Sequence, residues 1–224
     1  MAKTRVVDKW KAKRWYTVYA PDMFENKKIA EVISSDEANL INRKLTVGLW
    51  EITGDMSQMY TTLFFRIISV KGTSAFTKFV GHELSRTYLK TLVRRRRDII
   101  ADVIDVKTKD GIELRIKVNL YTAVRVSTPV KHALRAALRK EIIERSADMD
   151  FQRLVQEIVF GKFPALLFNS VKKIAPIKRL EIRKTELAEY FKEEEDKRKE
   201  KKGKKAEKKE KEDEKKAEEK EAKE

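Results

Sequence analysis

Residues 98–126 read DIIADVIDVKTKDGIELRIKVNLYTAVRV, and the way this stretch turns back on itself decides the fold. Apolar and charged residues alternate on both sides of Lys109-Asp110-Gly111, the pattern of two half-buried strands joined by a tight turn. Side-chain faces then choose the register, because a one-residue slip turns every side chain to the opposite face. A two-residue Asp-Gly loop would set Lys109, Lys107 and Asp105 beside Ile112, Leu114 and Ile116, mixing charge into an apolar face. A three-residue loop with Gly111 left-handed pairs Thr108 with Ile112, Val106 with Leu114, Ile104 with Ile116 and Ile100 with Leu120. It also sets Lys107 against Glu113 and Asp105 against Arg115. Only Asp102, opposite Val118, puts charge on the apolar face. The spacing predicts a hairpin with one buried and one charged face, its cross-strand pairs contributing roughly 0.2–1 kcal/mol each.

Upstream the signals are mostly β. Strands are predicted over Ile29 to Ile33, Lys44 to Ile52, Thr61 to Val70 and Thr77 to Val80, then the hairpin arms Asp98 to Thr108 and Ile112 to Val126, the latter in one piece or two. Thr61 to Val70 carries Leu63, Phe65 and Ile67 on one face and Phe64, Ile68 and Val70 on the other, so a central strand covered on both sides is expected. One helix is predicted over Glu83 to Arg97. Downstream the period becomes helical: Ser127 or Thr128 can cap, Pro129 suits the first turn, and Leu134, Leu138 and Ile142 recur at four-residue spacing. Further helices are expected near Asp150 to Phe160 and Pro164 to Lys173. Beyond Pro176, Ile177 to Ile182 alternates like a final strand. The sum is an α+β domain.

Its flanks differ. Residues 1–27 show no helical or strand period and read as an extended basic and aromatic arm, 28–191 as the folded domain, and 192–224 as a charged, low-complexity tail passing from frayed helix to disorder. The 224 residues carry 52 Lys and Arg against 36 Asp and Glu, a net +16. The tail holds 15 basic and 14 acidic residues, which leaves 37 against 22 in residues 1–191. The folded part is therefore the polyanion binder. The absence of Cys excludes disulfide scaffolds and thiolate metal sites. Neither a signal-peptide core nor an apolar run of ~18 residues is present, so a soluble, cytoplasmic protein is expected.

Catalytic chemistry finds no support. His82-Glu83 opens like a zinc-protease motif, but Arg86 stands where the second His belongs. Gly161-Lys162 lacks the flanking residues of a phosphate loop, and no nucleophile elbow exists. No metal, cofactor or catalytic residue is expected. The cations are more telling. Lys3, Arg5, Lys9, Lys11, Lys13 and Arg14 surround Trp10, Trp15 and Tyr16, offering phosphate contacts beside rings that either stack on bases or dock the arm. On the predicted helix, Arg86, Lys90, Arg94 and Arg97 form one row, joined by Arg95 and Arg96. Four successive guanidiniums repel one another, which favours phosphate binding over a hydrated face. Lys131, Arg135 and Arg139 form a third row. Lys172, Lys173, Lys178, Arg179, Arg183 and Lys184 form a fourth cluster, and for both of these a merely solvated face is an equal alternative. Cations on several elements suit a protein embedded in folded RNA better than one reading a single groove.

The stretch KRWYTVYAPDMF over residues 13–24 resembles the arm of archaeal and eukaryotic small-subunit ribosomal proteins of the S3Ae family. DVKTKDG over 105–111 is similar to that family's central hairpin, and KRLEIRK over 178–184 to its closing basic strand. The resemblance covers roughly residues 3–190. It implies a central antiparallel β-barrel flanked by helices, a non-catalytic role on the platform of the small subunit near the messenger exit, and a cytoplasmic, ribosome-bound protein. Implied partners are small-subunit ribosomal RNA and neighbouring ribosomal proteins, with messenger RNA or initiation factors as further candidates and no membrane. It transfers no individual RNA contacts. The competing reading is a free RNA- or DNA-binding factor.

Overall fold

The hairpin forms as its side chains dictate. In a computed structural model, which describes residues 10, 11 and 13–189, β6 (Ile99–Lys107) and β7 (Glu113–Thr122) pair antiparallel. Val106 lies opposite Leu114, Ile104 opposite Ile116 and Ile100 opposite Leu120. The Thr108 amide donates to the Ile112 carbonyl at 3.1 Å and Gly111 takes φ +75°, a conformation glycine adopts without steric cost. On the charged face Arg115 Nε and Nη2 donate to the two oxygens of Asp105 at 2.7 and 3.1 Å, and Lys107 reaches Glu113 at 2.9 Å. The turn also caps a helix. Asp110 Oδ2 accepts the amide of Phe151 at 2.8 Å, the first residue of α4 (Phe151–Val159).

The other strands are β1 (Arg14–Tyr19), β2 (Lys28–Ser34), β3 (Lys44–Gly48), β4 (Thr61–Lys71), β5 (Ser74–Leu84) and β8 (Ile177–Leu187). All eight belong to one mixed sheet, and it is not closed into the barrel expected from sequence. β5 is the reason. One edge pairs along its length with β4, which carries β3 outside it. The other edge is shared: Ser74 to Phe76 run parallel to β1, whereas Gly81 to Glu83 run antiparallel to β8. The sheet thus forks into a β1–β2 wing and a β8–β7–β6 wing, leaving open edges at β2, β3 and β6. At the fork, an added Cβ on Gly81 would lie 2.2 Å from the Thr185 carbonyl oxygen, so only glycine permits this approach of β5 to β8.

Five helices accompany the sheet among the described residues: α1 (Leu49–Thr53), α2 (Arg86–Leu92), α3 (Thr128–Asp148), α4 and α5 (Lys162–Val171). α3 packs on β6 and α5 on β8. Leu134, Leu138 and Ile142 are the buried apolar stripe of α3, a period-3.6 face against the hairpin. Phe24, Phe65, Phe79 and Phe151 form a chain of ring contacts at 5.8 to 6.3 Å, the T-shaped and tilted geometries aromatic quadrupoles favour. Leu187 ends the compact unit described here, and Ala188 opens a second.

Several expectations are corrected. Arg14 to Tyr19, expected in an aperiodic arm, form β1 with Tyr16 and Val18 buried. Trp15 and Tyr19 on the opposite face mask the alternation. Lys44 to Ile52 splits into β3 and α1. β4 buries Leu63, Phe65 and Ile67 but leaves Ile68 54% exposed, so its second face is only partly covered. β5 and β8 run longer than expected. The helix expected over Glu83 to Arg97 is only α2, because Glu83 and Leu84 belong to β5 and the chain leaves the helix at Val93. After Leu92 the next core-facing positions are arginines, so a continued helix would have nothing to bury.

Candidate nucleic-acid interface

The end of α2 sets the geometry of the basic constellations. Arg86 and Lys90 lie exposed on the helix, while Arg94 to Arg97 occupy a turn in which Arg96 adopts φ +61°. They are not one helical row. Arg94, Arg95 and Arg96 are exposed and Arg97 half-buried. The acid next to them, Asp98, is already occupied: its Oδ2 accepts the Val126 amide at 2.9 Å and lies 3.1 Å from Lys131 Nζ. These bonds, the amide first and the lysine second, hold the Asp98 carboxyl below its ordinary value. Neither Arg86, Lys90 nor any of Arg94 to Arg97 makes an ion pair among the described residues.

The α3 row behaves differently. Arg139 Nε and Nη2 donate to both oxygens of Asp102 at 2.7 Å each. Asp102 is 8% exposed, the one charge on the apolar hairpin face. Burial pushes its carboxyl up; the Arg139 and Val103 hydrogen bonds and the charges of Arg139 and Arg135 outweigh that and hold it below its ordinary value. With Lys131 bound to Asp98, this row ties α3 to the strand beneath it. Lys131 and Arg139 are thus ion-paired within the fold, whereas Arg135 makes no ion pair among the described residues and touches Asp102 only through its charge.

The fourth cluster divides. Lys173, Lys178 and Arg183 are exposed and make no ion pair among the described residues. Lys172 lies 5.8 Å over the Phe168 ring. Arg179 Nε donates to Glu181 at 2.6 Å, and Lys184 contacts Glu83 and Glu186. In the arm, Lys11 and Arg14 are exposed and Lys13 Nζ stands 4.0 Å over the Trp10 ring. Trp10 and Trp15 are exposed while Tyr16 is docked. Lys3, Arg5 and Lys9 lie outside the described residues.

Sequence reasoning missed a cleft of about 700 Å³ between α2, the end of α4, α5 and β8. Tyr60 and Tyr88 stack there at 4.8 Å and 17°, and the Tyr88 hydroxyl donates to Glu181 at 2.9 Å. Burial first, and then Glu181, push the Tyr88 phenol up to about 12. His82, in the cleft's floor, is fully engaged: Nδ1 lies 2.7 Å from Thr185 Oγ1 and Nε2 3.2 Å from the Ile182 carbonyl. Burial lowers this imidazole to about 4, so it is neutral at neutral pH. Among the described residues no cluster of His and carboxylates suits a metal ion, and no helix is long and apolar enough to cross a membrane.

The molecule is an α+β protein built on one mixed sheet, with exposed cations that make no ion pair among the described residues at a turn, a helix end and a strand. The chain belongs to the Ribosomal S3Ae family, whose model matches residues 1–190. It is 41% identical over 185 residues to small ribosomal subunit protein eS1 of Archaeoglobus fulgidus, covering 82% of this chain and 88% of the relative. The protein of that name from Staphylothermus marinus is 40% identical, covering 83% and 87%, and that from Sulfurisphaera tokodaii is 39% identical, covering 83% and 96%. The family identified from the arm, hairpin and closing strand is the one these comparisons show.

Proposed function

We propose that this small-subunit ribosomal protein binds ribosomal RNA directly and acts as a structural, non-catalytic constituent of the subunit. The observation that carries the reading is the Arg94 to Arg97 turn: four guanidiniums whose neighbouring acid is tied to Val126 and Lys131. Such a cluster is relieved by phosphate, whose binding also releases condensed counterions. Arg86, Lys90, Lys173, Lys178 and Arg183 are further exposed cations for the same polyanion, with Lys11, Lys13 and Arg14 on the arm. The family resemblance supports a seat on the platform near the messenger exit, beside neighbouring ribosomal proteins, and a cytoplasmic, ribosome-bound life. Contact with messenger RNA or initiation factors is consistent with that seat.

Fractionation of a native lysate on a sucrose gradient at moderate salt tests the reading. The protein is expected to sediment with small subunits; recovery at the top of the gradient would contradict it.

A further inference from the structure

We propose that the cleft between α2, the end of α4, α5 and β8 holds one unstacked nucleotide base of the bound RNA. The proposal rests on the RNA-binding reading and adds to it a site for a single nucleotide. The volume of about 700 Å³ suits such a ligand. Aromatic surface is available: Tyr60 and Phe160 are each 42% exposed and both line the cleft. Tyr88, on which Tyr60 stacks, is fixed by its bond to Glu181 and by the Arg179 guanidinium 5.7 Å from its ring. A base stacking on Tyr60 therefore meets a preorganised platform.

Polar groups converge on the same space. Gln58 lines the cleft, and its side-chain Oε1 is buried there without a hydrogen-bond partner among the described residues, so a rotation of the amide is needed to present it to a ligand. A buried acceptor in that state is costly, and a nucleobase amino or imino group supplies the donor. Lys178 stands exposed in the wall, placed for the attached phosphate. Glu181, an acid of the wall, is bound by Arg179 and Tyr88 and so does not repel that phosphate. Flat rings beside a free cation and an amide are the means by which single-stranded RNA bases are held. His82 has both ring nitrogens engaged and contributes shape alone.

The test compares the full chain with Tyr60→Leu in binding a transcript of small-subunit ribosomal RNA across a salt series, with thermal melting as the check on folding. Loss of stacking is expected to weaken binding by roughly 5- to 100-fold. The factor should be the same at low and high salt, because a ring releases no counterions. If wild-type binding is salt-dependent and Tyr60→Leu matches it throughout, the cleft proposal is overturned and the RNA reading stands. If the wild-type chain does not bind, both fall. Unchanged RNA affinity with loss of the variant from the small-subunit peak of a gradient would assign the cleft to a protein side chain, which also overturns the proposal. Should Tyr60→Leu fail to fold, ultraviolet crosslinking of the wild-type complex decides. Nucleotide adducts on Tyr60 or Phe160 support the proposal, and adducts confined to other regions overturn it.

Discussion

Two buried titratable residues show how single side chains are committed to the fold. His82 is neutral, with a pKa lowered to about 4 from an ordinary 6.5. A group that must protonate on unfolding costs stability in acid, so its contribution is complete above about pH 6.5 and lost as pH falls toward 4. The loss amounts to about 3 kcal/mol. Urea unfolding over that range should show the decline, and His82→Gln should flatten it. Asp102 has the ordinary sign for a carboxylate: its lowered pKa contributes stability above about 3.8, lost as pH falls through the folded value. Arg139→Gln should lower stability by leaving a buried carboxylate underpaired. Its RNA affinity should stay unchanged, because its guanidinium serves Asp102. A normal melt with weakened RNA binding would return Arg139 to the interface. Sequence alone showed Asp102 as the misfit on an apolar face and Arg139 as a surface cation. That each answers the other lies in a contact 37 residues apart.

At the scale of elements, the hairpin's register and turn were legible because they depend on neighbours within one turn, where apolar alternation and Gly111 agree; the end of its second arm, expected at Val126, falls instead at Thr122. Its tip does a second task that local pattern does not reveal. Asp110 caps α4 from across the turn, so Asp110→Ala should destabilise the fold by about 1 kcal/mol, as loss of a helix cap does. Thermal denaturation measures this, and an unchanged midpoint would mean that solvent serves the Phe151 amide equally well. α2 was overread for a complementary reason. Cations at helical spacing look like one face of a helix, but a helix in water needs an apolar stripe to bury, and after Leu92 there is none.

For the whole molecule, barrel closure was the expectation that failed, and its failure is one of long-range pairing. Whether β1 and β8 share an edge of β5 depends on residues about 60 and 100 positions apart in sequence. No local period encodes that, although Gly81 marks the place. The basic constellations were legible as charge and not as partnership: the cations were visible, while the acids that pair Lys131 and Arg139 were not. Charge arithmetic also bears on the tail. Residues 204–224 carry nine basic and nine acidic side chains, so truncation after Gly203 should leave affinity for ribosomal RNA nearly unchanged. A large loss in a filter-binding titration would place part of the binding surface there.

On the proposed reading, unpaired cations around the Arg94 to Arg97 turn, and not the ion-paired Lys131 and Arg139 of α3, meet phosphate. The decisive measurement is the slope of log affinity against log salt for a small-subunit ribosomal RNA transcript, in two folded variants. Changing Arg94, Arg95, Arg96 and Arg97 together to Gln should make the slope shallower by up to about 3 units, at roughly 0.7 to 0.9 per lost phosphate contact. Changing Lys131 and Arg139 to Gln should lower stability and leave the slope where it was. An unchanged slope in the first variant, or a shallower one in the second, would contradict the account.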